Sequence, residues 1–213
     1  MAKQKGQELQ QSVTIKALNW QNLAFKIEGT APYVQHAFGQ KAMQKMVETQ
    51  QAGSTAKSKK AREPKDFDAA YLNATHKSDE GWYGIPAPAF RAAMISACRL
   101  VGFKMTLAKL AVFIQQDGFD PTDGTPLVRM NGKPEKHLGM VRNATGVVDI
   151  RCRPMWKKWD AMLRIGYDGD VFTQADIANL VSRVGAQVGI GEGRPDSKMS
   201  AGLGWGTFKI ANT

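Results

Sequence analysis

The sequence predicts an α+β fold in which two helices cover one side of a four-stranded antiparallel sheet. Three observations predict it. Apolar residues alternate at Leu23, Phe25 and Ile27 and again across residues 161–167, the two-residue period of strands with one buried face. Residues 85–102 and 173–184 repeat apolar side chains at helical spacing. The last quarter sets glycines at 189, 191, 193, 202, 204 and 206 around a polar loop. Glycine there permits positive φ and close approach of one backbone to another.

Residues 12–28 read as a hairpin, with Val13, Ile15 and Ala17 on one arm, a turn at 19–22, and Leu23, Phe25 and Ile27 on the other. Gly29-Thr-Ala-Pro then breaks the pattern. A short helix over 40–51 places Met43, Met46 and Val47 on one face. Residues 52–65 hold no large apolar side chain and cannot bury a core face, so a mobile basic loop is expected. Phe67, Ala70, Tyr71 and Ala74 mark a second short helix.

Residues 85–102 make the strongest helix. Pro86 and Pro88 suit a first turn, Phe90, Met94, Ala97 and Val101 share a stripe, and Gly102 is a natural stop. Strands follow at 110–115, at 141–153 as a long strand or hairpin arm ended by Pro154, and at 161–167. In the second long helix Thr173 precedes Asp176 by three residues, a capping-box-like start, and Ile177, Leu180, Val181 and Val184 face the core. A last strand spans 205–210. Without its insertions the order is strand–helix–strand–strand–helix–strand, the split βαβ or ferredoxin-like (RRM-like) arrangement. Residues 1–213 read as one domain with the 52–65 loop inserted. Such a sheet keeps one face free, and single-stranded RNA binders often use that face.

Composition narrows the function. No apolar run approaches the roughly 18 residues that span a bilayer, and the start of the chain is polar, so no membrane partner and a cytoplasmic location are expected. Cys98 and Cys152 form no CxxC and no disulfide framework. The 29 Lys and Arg exceed the 19 Asp and Glu by ten, which favours polyanionic partners through counterion release. Seven bases lie within residues 41–65 against Glu48 and Glu63, and a second basic region runs from Arg129 to Arg164.

Nucleic-acid grooves interleave cations, which contact phosphates, with aromatics, which stack on bases. Arg151, Arg153, Lys157 and Lys158 sit beside Trp156 and Trp159 in this way; Trp156 is the stacking candidate and Trp159 a core anchor. Trp82 and Tyr83 either stack or staple the start of the helix at 85. Gly189, Gly191 and Gly193 with Arg194 and Lys198 suggest a backbone-and-guanidinium contact to a phosphate or a neighbouring subunit. Gly202, Gly204 and Gly206 are read as letting the last strand start tightly against the core. Lys57, Lys59, Lys60 and Arg62 could close over a strand as a thumb.

The motifs Val188-Gly-Ile-Gly, Ala201-Gly-Leu-Gly and Trp205-Gly-Thr-Phe resemble the glycine-rich signature of the RAMP superfamily, the ferredoxin-like RNA-binding proteins of CRISPR systems. With Gly29-Thr-Ala-Pro-Tyr-Val-Gln-His36, Gly84-Ile-Pro86 and Arg153-Pro-Met-Trp-Lys-Lys-Trp159, the chain also looks like phage and prophage proteins related to the backbone subunits of CRISPR effector complexes. The resemblance covers roughly residues 12–36 and 82–210. It implies a protein whose copies stack into a helical filament along single-stranded RNA or DNA, and a non-enzymatic role is expected.

Two other readings stay open. Some RAMP relatives cleave RNA with a histidine near the N-terminal strand, and His36 is at a comparable place; a phage structural or assembly protein is the other alternative. The three histidines share no metal-ligand spacing. Asp117, Asp120 and Asp123 suggest a calcium loop only until the twelfth position, which is Val128 rather than Glu. No cofactor, metal or phosphate-loop motif is predicted.

Overall fold

A computed structural model describes residues 15–37, 40–51, 64–142, 146, 148–197 and 202–211. In chain order these form β1 (Trp20–Gly29), β2 (Tyr33–Val34), α1 (Gln40–Gln51), α2 (Phe67–Asn73), β3 (Gly84–Pro86), α3 (Ala87–Leu100), α4 (Met105–Ala111), β4 (Val112–Gln115), β5 (Gly118–Phe119), β6 (Pro126–Asn131), β7 (Glu135–Arg142), β8 (Val148–Trp156), β9 (Asp160–Asp168), α5 (Gln174–Arg183) and β10 (Phe208–Ile210). A π-helical turn, Val184–Val188, extends α5.

The fold is α+β. Central strand β9 pairs antiparallel with β1, which pairs antiparallel with β10. The other edge of β9 is shared by β4, along residues 164–167, and β6, along residues 160–161. Strands β3 and β5 add to β6, while β2, β8 and β7 form a separate antiparallel ribbon. Ile27, Leu163, Ile165 and Tyr167 from the sheet meet Phe90, Met94, Ile177 and Leu180 from α3 and α5 in one buried cluster. Burying each such side chain stabilises the fold by roughly 1.5–3 kcal/mol. The opposite sheet face carries Trp20, Asn22, Ala24, Lys26, Phe113, Gln115, Met162 and Arg164, and all are exposed.

Sequence and structure agree at α1, α2, α3, β9 and α5. Thr173 and Asp176 form a complete capping box, each side chain bonding the other's backbone N–H. Gly102 ends α3 with φ of 71°. Several expectations are corrected. There is no N-terminal hairpin among the described residues: residues 15–19 are not strand, and Ile15 is 89% exposed. Residue 13 and the loop at 52–63 lie outside the described residues. Residues 110–111 finish a short helix, because Ala108 and Ala111 can be buried there as one helical face. Residues 141–153 do not form one strand: they take in the end of one hairpin arm, Glu135–Arg142, and most of the next, Val148–Trp156, and Pro154 lies inside that second arm rather than ending it. Met46 and Val47 of α1 are exposed.

The C-terminal glycines are a packing device. Gly206 has φ of 67°, and a Cβ there would overlap the Ile190 carbonyl. The close approach lets Ile190 N–H donate to the Gly206 carbonyl (3.0 Å) while Gly206 N–H donates to Pro32 (2.7 Å). By contrast Gly202 and Gly204, also at positive φ, have open space beside them, so the tight contact expected of all three belongs to Gly206 alone. Gly206→Ala is therefore expected to cost about 3 kcal/mol in urea unfolding, strain plus clash. Gly124→Ala, at φ of 72° with nothing nearby, should cost only about 1 kcal/mol. Equal losses would refute the packing role.

Candidate nucleic-acid interface

Directly opposed residues of an antiparallel pair share a face. On the β7–β8 ribbon, His137 opposes Arg153, Gly139 opposes Arg151 and Val141 opposes Asp149, so Arg151 and Arg153 stand two residues apart on one face with His137 beside them. The other face carries Leu138, Met140, Val148 and Ile150, exposed by 61%, 75%, 47% and 50%.

The glycine loop meets the base of this ribbon. Glu192 N–H donates to the Val34 carbonyl (2.9 Å), and Val34 pairs with Met155 of β8. Glu192 then accepts from Arg153 Nε (3.1 Å) and lies 3.9 Å from His36 Nδ1. On the same side the Trp205 indole meets the His137 imidazole edge-on, with centroids 5.4 Å apart. His36, Arg151, Arg153, Glu192, His137 and Trp205 thus gather from four separate parts of the chain.

The charges are unequal in availability. Arg153 is buried except for 12% of its side chain and is matched by Glu192. Arg151 is 35% exposed and lies 3.9 Å from Asp149, which Lys65 also pairs. Lys157 pairs with Glu135 at 2.7 Å in a solvated bridge, and Lys158 is exposed. Partial burial, then the Arg153 charge, hold the His36 pKa below its ordinary value, while Glu192 pulls it back up. His36 is neutral at pH 7, half-exposed and able to accept a proton.

The other residues singled out in the sequence are placed as follows. Trp156 is completely buried, between Tyr33 and Tyr83 with ring centroids 5.6 Å from each, so no base can stack on it. Among the described residues its indole N–H has no hydrogen-bond partner, a burial cost of about 1–3 kcal/mol that the surrounding apolar packing outweighs. Trp159 is the core anchor expected, donating to the Ala31 carbonyl at 3.0 Å. The backbone that Gly191 and Gly193 approach is their own chain's: added Cβ atoms would lie 2.5 Å from the Val34 carbonyl and 2.6 Å from Trp205 respectively. Arg194 donates to the Gly191 carbonyl (3.1 Å), bracing its own loop. Trp82 is half-buried, bonded to Glu80 and covered by Arg129. Lys57, Lys59, Lys60, Arg62 and Lys198 lie outside the described residues.

Two features escaped sequence reasoning. His76 and Asp120, 44 residues apart, form a buried hydrogen bond of 2.8 Å. Asp123 joins them so that the three ligating atoms lie within 4.8 Å of one another. Asp120 also accepts from Thr122 N–H, so the pair clasps the loop before β6. Asp117 instead pairs with Arg164, which separates it from the other two aspartates. A groove of about 780 Å³ between α3 and α5 is lined by Cys98, Phe103, Phe172 and Arg183 among others, and by none of the predicted binding residues.

Compared with known proteins, the chain matches no protein-family model and no curated sequence. Among the described residues no helix is long and apolar enough to cross a membrane.

The His36 environment is directly measurable. An NMR titration of its imidazole should give a midpoint below 6.5, moved upward by Arg153→Met and further downward by Glu192→Gln. Because the folded pKa is depressed, this group's contribution to stability is present above pH 6.5 and is lost as pH falls toward the folded midpoint.

Proposed function

We propose that the chain is a single-stranded nucleic-acid-binding protein on a ferredoxin-like core, whose copies associate along the strand. The observation that carries the reading is the convergence of Arg151, Arg153 and His137 on one ribbon face, against the loop that holds Arg194 and Trp205. Guanidinium groups in a row offer fork-like donors to phosphate oxygens, and a half-buried tryptophan at their side offers an edge to a base. The chain's net charge of +10 supplies the long-range attraction.

The antiparallel order β10–β1–β9–β4, with α3 joining β1 to β4 and α5 joining β9 to β10, supports the ferredoxin-like assignment. Exposed Leu138, Met140, Val148 and Ile150 on the ribbon's second face support association between copies, since a contiguous apolar patch on a monomer marks an interaction surface. The motif resemblance to RAMP proteins points the same way.

Filter binding to single-stranded oligonucleotides should be tight and fall linearly in log K against log salt. Arg151→Gln and Lys158→Gln should each weaken binding across sequences and lower the salt slope by about one. A salt-independent interaction, or none, overturns the reading. Electron microscopy with added strand should show ligand-dependent filaments.

His36 favours a second reading, a metal-independent endoribonuclease. A neutral imidazole beside two arginines and a carboxylate combines a base with phosphate charge stabilisation. Incubation with structured RNA in chelator separates the two readings. Cleavage by the parent that His36→Ala abolishes establishes the enzyme, whereas intact RNA with both proteins excludes it.

A further inference from the structure

Resting on the reading of single-stranded binding, we propose that the open face of the main sheet is a second contact, where nucleobases stack on Trp20 and Phe113. The two rings come from strands on opposite sides of β9, and a glycine makes the platform possible. Gly166 opposes Asn22 on one side and Phe113 on the other. A Cβ at Gly166 would lie 2.6 Å from the Trp20 ring. With hydrogen there instead, the indole settles diagonally across β9 and meets Phe113 with centroids 5.6 Å apart at 52°. A glycine inside a strand costs roughly 0.5–1 kcal/mol, and this one packs an indole against the solvent face rather than the core.

The rings remain available after packing. Trp20 is 41% exposed and Phe113 40%. Both sit on a strand face whose other side chains, Asn22, Ala24, Lys26, Gln115, Met162 and Arg164, are exposed. The Arg91 guanidinium lies over Phe113 at 4.5 Å and is itself tied to the Val112 and Lys109 carbonyls, which fixes the ring before any ligand arrives. Preset aromatic surfaces bind without a large ordering cost.

The residues beyond the rings have nucleic-acid chemistry. One row along, Gln115 donates to Asn22 at 2.7 Å, leaving further amide groups of both side chains for base edges. Arg164, 46% exposed beside Asp117, stands in the same row as Gln115, and the row after it brings exposed Lys26 opposite Met162. From Asn22 to Lys26 the strand advances about 13 Å. Aromatic, amide and cationic groups therefore follow one another along β1 in the order base, base edge, phosphate. A second copy of this chain would present the same cations and gain nothing from meeting them, so the charge favours a polyanion as occupant.

The test compares labelled single-stranded oligonucleotides with abasic strands of the same length, binding parent, Trp20→Ala, Phe113→Ala and Trp20→Phe. Each alanine variant should bind the natural strand roughly 5- to 100-fold more weakly, the range of one lost base–aromatic stack. The salt slope should not change, because no phosphate contact is removed. Trp20→Phe should keep most of the affinity, and the parent should discriminate against the abasic strand by more than either alanine variant does. Comparing natural and abasic strands on the parent keeps the test valid should an alanine variant fail to fold. Salt-dependent binding that ignores both the ring substitutions and the missing bases overturns this proposal and leaves the basic ribbon standing. No binding by the parent overturns the underlying reading as well. A change in oligomeric mass on Trp20→Ala, with binding intact, assigns the face to contact between copies and also overturns it.

Discussion

The approach of Gly206 to the Ile190 carbonyl is the contact on which the arrangement of the candidate site depends. It is made from both sides, by the Ile190–Gly206 bond and by the Gly206–Pro32 bond. The turn after α5 is thereby held to the segment between β1 and β2. Gly191 then rests on Tyr33 and Val34, and Gly185 passes the Phe208 carbonyl within the π turn. A side chain at any of these positions would push the C-terminal segment away from the sheet. Because β2 also pairs with β8, the same seam fixes the base of the ribbon and brings Glu192 within reach of Arg153 and His36. The glycines let one backbone lie against another, which sets where the charged side chains stand.

How legible this was depends on the range of the interactions involved. Local signals carried through: the Thr173–Asp176 capping box, the stop at Gly102, the break after β1 and the alternation of β9 are all written within a few residues. The β6 pairing and the His76–Asp120 clasp were not readable, because each needs partners brought together by the rest of the fold. Trp156 shows the same limit from the other direction. Its neighbours Lys157 and Lys158 suggested a groove, yet alternation along β8 sends Arg153 and Met155 to one face and turns Trp156 under Tyr33 and Tyr83. Adjacent residues in a strand point apart, so a basic–aromatic cluster in sequence is seldom one in space. Trp20 and Phe113 are the converse, 93 positions apart and meeting across a single glycine; a glycine inside the alternating pattern of β9 was the one available hint.

The charge of the chain is likewise distributed by pairing rather than by sequence clusters. Several of the basic residues singled out in the ribbon region are matched by a carboxylate, among them Arg153 with Glu192 and Lys157 with Glu135. Solvated pairs of this kind contribute about 0–1 kcal/mol, so a phosphate can displace the carboxylate at little cost. Arg153 differs, because its partner is held in place by a backbone bond from Glu192 to Val34 and both are largely out of water. Removing either would strand a partly buried charge, a loss several times larger than that of a surface pair. Arg153 is therefore best understood as the fixed member of the row and Arg151 as the exchangeable one.

The same distinction relates the ribbon to the sheet. On the ribbon, the cations are pre-positioned by carboxylates that a phosphate must outcompete, so affinity there depends on ionic strength. On the sheet, the rings are pre-positioned by packing on Gly166 and under Arg91, and a stacked base displaces only water. Contacts of the first kind attract any strand of the right charge; contacts of the second require unpaired bases, since a duplex keeps its bases stacked on one another. A protein with only the ribbon would bind double- and single-stranded polyanions alike. In the proposed reading, preference for single strands resides in the glycine of β9 and the two rings that it lets meet.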